Sequence, residues 1–146
     1  MDTFAFLLGT WNVTRSIEDT HAGTRGTFHG TATLLAVSSA DGTPVGVRAQ
    51  YEEHGELQFG AHIGSARRSL AYVRLDDATV MRCFADGRPF LPLDLANGAW
   101  RGTHLCGDDR YDIATLARSP DVVQEHWRVT GPSTGYNALA TLTRTR

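Results

Sequence analysis

Leu91-Pro92-Leu93-Asp94-Leu95-Ala96-Asn97-Gly98-Ala99-Trp100-Arg101-Gly102-Thr103-His104 carries the strongest turn signal in the chain. Asn-Gly flanked by alternating apolar residues predicts a two-residue type I′ hairpin. That turn pairs Ala96 with Ala99, Leu95 with Trp100, Leu93 with Gly102 and Leu91 with His104. Three leucines and an indole then share one face, and a period of two carries the same face on to His104 and Cys106. Upstream, a turn at Asp86-Gly87 sets Leu91 opposite Arg82 and Leu93 opposite Val80, which turns Arg82 inward. Downstream, Cys106-Gly107-Asp108-Asp109 suits a type II′ turn with glycine in its first central position. It sets Cys106 opposite Asp109 and His104 opposite Tyr111, all four on the inner face.

The same grammar extends along the whole sequence. Turn signals recur about every ten residues: Asp19 to Gly23, Ser38 to Pro44, Gly60 to Gly64, Asp76-Asp77, Arg118 to Asp121 and Gly131 to Gly135 join the three above. Between them lie alternating runs such as Trp11, Val13, Arg15, Ile17 and Val45, Val47, Ala49, Tyr51, Glu53. The expected strands are roughly 10–18, 25–37, 45–53, 56–60, 67–75, 78–85, 88–95, 99–106, 109–117, 122–130 and 136–145, with 45–60 as one bent strand or two. Many short strands without a helical period predict an all-β meander closed as a barrel or sandwich. Asp2 can cap a short helix through Thr3 to Leu8, whose Phe4, Phe6 and Leu7 would plug one end.

Composition narrows the function classes. At 146 residues the chain reads as a single domain, 1–146, able to bury about two-thirds of its unfolded surface. All 14 basic residues are arginine, scattered along a chain of net charge −2, which argues against nucleic acid as a partner. Without lysine, Schiff-base chemistry is excluded. Plentiful alanine, glycine and arginine are associated with bacterial genomes rich in GC. Met1 to Leu8 lacks the basic start and apolar length of a signal peptide, and no apolar run suits a membrane helix. Two cysteines, Cys83 and Cys106, fit a reduced, cytoplasmic protein, a monomer or homodimer with no membrane partner.

Leu8-Gly9-Thr10-Trp11, ahead of such a meander, resembles the Gly-x-Trp signature of lipocalins and related calycins. The resemblance implies a tryptophan at the closed barrel end, covered by an arginine near the last strand, Arg144 or Arg146. More specifically, the chain looks like a bacterial lipocalin-like family of unknown function. The matching stretches are Leu7 to Trp11 with Arg15, Tyr51-x-Glu53-x-Gly55, Phe84 to Phe90, His104-x-Cys106-Gly107-x-Asp109-x-Tyr111, and Trp127-Arg128-Val129-x-Gly131-Pro132. The implied fold is a single antiparallel lipocalin-like β-barrel of about ten strands with a short N-terminal helix. Nitrobindins, distantly similar in fold, bind haem through a histidine; other lipocalin-like barrels are cofactor-free cyclases and isomerases.

Several side chains can do chemistry on the inner face. Cross-strand Cβ atoms lie about 5 Å apart, whereas residues two apart on one strand are separated by about 6.6 Å. His104 with Tyr111 is therefore the acid–base candidate, and His104 with Cys106 is not a nucleophile pair. Asp109 opposite Cys106 would raise the thiol's pKa rather than activate it. The structural alternative makes Cys106 a small core residue, His104 a hydrogen-bonded interior histidine and Asp109 a turn-closing acceptor. No metal site is expected, for want of a fourth ligand.

Arg15 and Glu53 stand on otherwise apolar faces, where charge must pair or meet a ligand. With Arg82 and Tyr51 they would build a polar cavity wall for an anionic or hydroxylated molecule. On 122–130, Val123, Glu125, Trp127 and Val129 share one face and Gln124, His126, Arg128 and Thr130 the other. Trp127 inside is the expectation for ligand binding; His126 inside is what a haem reading requires. His21, His29, His54 and His62 are expected at the surface. Together these point to a small-molecule barrel, a cofactor-independent isomerase, cyclase or lyase working on a partly apolar metabolite. The alternatives are a non-catalytic carrier or a haem binder using His104 or His126.

Overall fold

The computed structural model describes residues 2–37 and 47–145. The Ser38 to Pro44 turn, Val45 and Arg146 lie outside the described residues. A short helix, α1 (Thr3–Leu7), precedes ten strands: β1 (Gly9–Asp19), β2 (Arg25–Ala36), β3 (Arg48–Phe59), β4 (His62–Arg74), β5 (Thr79–Phe84), β6 (Pro89–Asp94), β7 (Ala99–Cys106), β8 (Asp109–Ser119), β9 (Val122–Thr130) and β10 (Gly135–Arg144). All pair antiparallel in one sheet, in the order β6-β5-β4-β3-β2-β1-β10-β9-β8-β7. The sheet curls into a nearly closed barrel with β6 and β7 as its two edges. The stretch 48–59 is one strand, running unbroken through Gly55 as β3.

The closed end is built as the Gly-x-Trp resemblance implies. The Asp2 carboxylate caps α1, accepting from the Ala5 amide at 3.0 Å. Phe4 and Leu7 are buried beneath the barrel. Trp11 donates its indole N–H to the Leu7 carbonyl at 2.9 Å. Arg144 is the covering arginine: its guanidinium lies 4.2 Å from the Trp11 ring and donates to the Leu8 and Phe6 carbonyls at 2.8 and 2.6 Å. One cation thereby satisfies the carbonyls that a helix terminus leaves open.

Curvature concentrates where β2 meets β3. Gly30 and Gly55 are register partners, and a Cβ on either would fall 2.2–2.3 Å from a backbone carbonyl oxygen across the ladder. Only two facing glycines allow so tight an approach at a barrel bend.

The Asn97-Gly98 hairpin is the main correction. No described residue other than glycine has a positive φ, whereas a type I′ turn needs one at both central positions. The chain turns one residue earlier instead: the Gly98 amide donates to the Leu95 carbonyl at 2.9 Å, and the Gly98 carbonyl accepts from Ala117 at 2.8 Å. Among the described residues no ladder joins β6 to β7. The physical reason lies in β6 itself, where Pro89 and Pro92 carry no amide proton and confine the strand to an edge. Side chains close the gap, Trp100 donating its indole N–H to the Pro92 carbonyl at 2.9 Å.

Inner and outer faces fall as expected even so. Leu91, Leu93 and Leu95 are buried, and Arg82 sits opposite Leu91 with Val80 opposite Leu93.

Candidate functional site

The hairpin β7–β8 has the expected register, His104 opposite Tyr111 and Cys106 opposite Asp109. Gly107 has φ +61° and Asp108 does not share a positive φ, as a type II′ turn requires. The four side chains nonetheless meet different surroundings. Cys106 is exposed at the strand end, so it is not a small core residue, and Asp109 is half-buried beside Gly131. His104 packs edge-on against rings, with centroids 5.8 Å from Phe84, 5.0 Å from Phe90 and 6.0 Å from Tyr111. Trp127 completes this cluster, 5.4 Å from Phe90 and 6.2 Å from Tyr111. Burial pushes the Tyr111 phenol up, reinforced by the Cys106 and Asp109 charges.

Below this cluster, two carboxylates organise the interior. Glu53 takes Arg15 as a two-pronged partner, with both N–H···O distances 2.8 Å, and accepts the Tyr51 hydroxyl at 2.6 Å. Burial alone would lift the Glu53 carboxyl; the hydrogen bonds from Arg15, the Arg68 charge and Tyr51 hold it below the usual range. Tyr51 is pushed far up by burial and by that same carboxylate, so its proton stays on oxygen. Glu125 receives Arg82 at 2.7 Å, the Thr115 hydroxyl at 2.6 Å and the Trp127 indole N–H at 2.6 Å. Its burial is overcome chiefly by the Arg82 charge, then by those hydrogen bonds, and its pKa falls to about 2.

The barrel interior is largely filled: around Arg82, Tyr72 and Glu125 only about 40 Å³ is open. Above it, at the open end, lies a cavity of about 370 Å³. Arg15, Arg68 and Trp127 border both spaces, forming the floor of one and the roof of the other. Phe59, Ile17 and Ala138 give apolar walls; Asp19, His21, Ser133, Thr134 and Tyr136 form the rim. Trp127 is fixed from two sides, by its bond to Glu125 and by the Arg68 guanidinium 5.0 Å from its ring centroid.

Strand pairing ties this cavity to the aromatic cluster. Asp19 pairs with Tyr136, Tyr136 with Val129, Val129 with Tyr111 and Tyr111 with His104, one continuous row around the mouth. The Tyr136 phenol is raised by burial and by Tyr111, with Arg68 and Arg15 pulling the other way.

The structure therefore brings Arg15 and Trp127 to the cavity floor, with Glu53 and Tyr51 bonded beneath Arg15 and Arg82 deeper still; His104 and Tyr111 lie in the adjoining aromatic cluster, outside the cavity lining. Arg68, Glu125 and Tyr136 are the members that sequence reasoning missed. His126 faces outward and is exposed; His29, His54 and His62 are exposed as well, and His21 is exposed on the cavity rim. A haem thus finds no inward histidine at position 126. Among the described residues, no three histidine, cysteine or acidic side chains cluster as metal ligands, and no helix is long and apolar enough to cross a membrane.

The chain belongs to a family of unknown function, DUF6314, whose model matches residues 7–144. No curated protein matches it in sequence. In fold it is similar to the S-type phycobiliprotein lyase CPES from Guillardia theta, at 11% identity and TM-score 0.65, covering 98% of this chain and 90% of that one. It is also similar to two designed barrels. A de novo designed fluorescence-activating β-barrel shares 14% identity at TM-score 0.51, over 99% of both chains. The redesigned barrel mFAP0, bound to DFHBI, shares 16% identity at TM-score 0.50, over 95% of this chain and 99% of that one.

Proposed function

We propose that this protein binds a small, partly apolar molecule in the open-end cavity and acts on it by general acid–base catalysis, without a cofactor. The observation that carries the binding part is the floor of that cavity, where two arginines and an indole meet above a filled interior. Ligand sites are typically concave and mainly apolar, with a few convergent polar groups, and the open barrel mouth offers that combination. The barrels similar in fold include a lyase and one bound to DFHBI, which is compatible with the same use.

For the catalytic part, His104 and Tyr111 face each other across one hairpin on the row that reaches Tyr136. An imidazole and a phenol can exchange a proton with substrate between them, while Arg15 or Arg68 stabilises a developing oxyanion. Isomerisation, cyclisation and elimination need no more than that. Two free cysteines, one buried and one exposed, agree with a reducing, cytoplasmic setting. A second reading, a non-catalytic carrier, is favoured by the ring packing of His104 against Phe84 and Phe90.

Binding is tested with 1-anilinonaphthalene-8-sulfonate, whose fluorescence should rise and saturate at one site per chain. Ala138→Trp, filling the cavity from its wall, should abolish the rise while the protein melts as a cooperative barrel. Saturation unchanged in that variant places the dye elsewhere and defeats the reading. Once a turned-over compound is found, Tyr111→Phe and His104→Ala separate enzyme from carrier: both should bind it and neither should convert it.

A further inference from the structure

We propose that the cavity takes a monoanion with a flat apolar body, an aromatic carboxylate, and that Arg68 receives its carboxylate. This rests on the binding reading above and names the ligand class.

Among the described residues, Arg15, Arg68 and Arg82 line the two inner spaces, and two of them are matched. Arg82 pairs with Glu125 at 2.7 Å, and Arg15 takes both oxygens of Glu53 at 2.8 Å. Arg68 reaches Glu53 only at 3.5 Å, on an oxygen that already accepts from Arg15 and from the Tyr51 hydroxyl. Among the described residues Arg68 makes no hydrogen bond, and its buried Nε has no partner. A guanidinium carries five N–H donors in a fixed fork, so most of this one's capacity is unused. Its position is held by the faces of Trp127 at 5.0 Å and Tyr51 at 6.0 Å.

Exposure singles out the same residue. The Arg68 side chain is 34% exposed, against 14% for Arg15 and 2% for Arg82, and it lies on the cavity floor. Of the other acids at this end, Asp19 is turned to its own loop, accepting from the His21 and Ala22 amides at 2.9 Å, and Asp109 lies outside the cavity lining, beside Gly131. The floor therefore holds two guanidinium charges and one carboxylate, a surplus of a single positive charge. A monoanion neutralises it; a dianion would leave net negative charge beside Glu53, whose side chain is buried. Trp127 and Phe59 supply flat apolar surface beside that charge, and a carboxylate matches the fork with two parallel N–H···O bonds.

The test compares three probes of one shape by calorimetry at neutral pH: 2-naphthoate, neutral 2-naphthamide and 2-naphthyl phosphate. Naphthoate should bind about tenfold or more tighter than the amide, with the phosphate weaker than naphthoate. Arg68→Met should bring naphthoate down to the amide's affinity and leave the amide unchanged. Arg68→Lys should restore part of the preference and serves if the methionine variant misfolds. Equal affinity for acid and amide, tighter phosphate binding, or a preference that survives Arg68→Met overturns the proposal. If the anilinonaphthalene dye saturates the cavity but naphthoate does not bind better than the amide, the binding reading stands and this inference falls. If neither the dye nor any of the three probes binds, both fall.

Discussion

Replacing Glu125 by glutamine should destabilise the barrel more than any other single isosteric change inside it, and in a pH-dependent way. The carboxylate gathers Arg82, Thr115 and Trp127 at 2.6–2.7 Å, and the Arg82 side chain is only 2% exposed. The amide keeps the shape but strands a buried guanidinium whose Nε and Nη2 already lack partners. Breaking one side of a buried pair costs about 3–5 kcal/mol. The titration gives a similar size: lowering this carboxyl from 4.5 to about 2 corresponds to about 3 kcal/mol. The folded-state pKa is depressed, so that stability is present above pH 4.5 and is lost as pH falls through about 2.

Urea unfolding followed by circular dichroism at pH 7 should show a deficit of about 3 kcal/mol for Glu125→Gln, or a fall in Tm of about 10 °C for a chain this long. The gap between wild type and variant should narrow steadily as pH is lowered from 5 towards 2. Adding Arg82→Met to Glu125→Gln should recover much of the loss, because no unpaired charge then remains. A deficit below about 1 kcal/mol at pH 7, or one that does not change with pH, would refute the assignment of Glu125 as the charged partner of Arg82.

The remaining contacts set further outcomes. Arg144→Ala should cost about 2–3 kcal/mol in urea unfolding, since it removes hydrogen bonds to the Leu8, Phe6 and Pro120 carbonyls and the cation over Trp11; lysine, with a single ammonium, should not fully restore it. Gly55→Ala should fail to fold or lose more than about 3 kcal/mol, read as insolubility or a collapsed melting transition, because its Cβ would meet the His29 carbonyl. Native protein should show one fast thiol towards a disulfide reagent, the exposed Cys106, and a second only in denaturant, the buried Cys83.

Local turn chemistry is the most legible part of the sequence. Gly107 fixes the β7–β8 register because a type II′ turn leaves one pairing. The turn before β6 closes one residue earlier than Asp86-Gly87 implies, the Gly87 amide donating to the Phe84 carbonyl, and a bulge between Arg82 and Cys83 restores Arg82 to its place opposite Leu91. Asn97-Gly98 misleads for a different reason: the dipeptide favours a hairpin, while Pro92 nearby denies the ladder that hairpin needs. Arg68 escapes notice because Gly60 to Gly64 reads as one long turn after β3. The real turn is two residues, with Gly60 at φ +60°, and starts β4 at His62, which sets Arg68 opposite Glu53. Glu125 is within reach, sharing the Trp127 face, but the bulge between Ala117 and Ser119 hides its register. That Glu125 meets Arg82 joins side chains 43 residues apart across the barrel, which no period along the chain encodes.

The unladdered seam between β6 and β7 gives the barrel a clasp. Phe84 and Phe90 belong to one lip, His104, Tyr111 and Trp127 to the other, and their rings meet across it near the mouth. On the far side of the wall β1 and β10 are joined by a continuous ladder from Trp11–Arg144 to Asp19–Tyr136. A hooped barrel can widen only by breaking backbone hydrogen bonds. Here one seam of the wall is held by side-chain contacts, so its closure depends on ring packing where the rest depends on backbone hydrogen bonds.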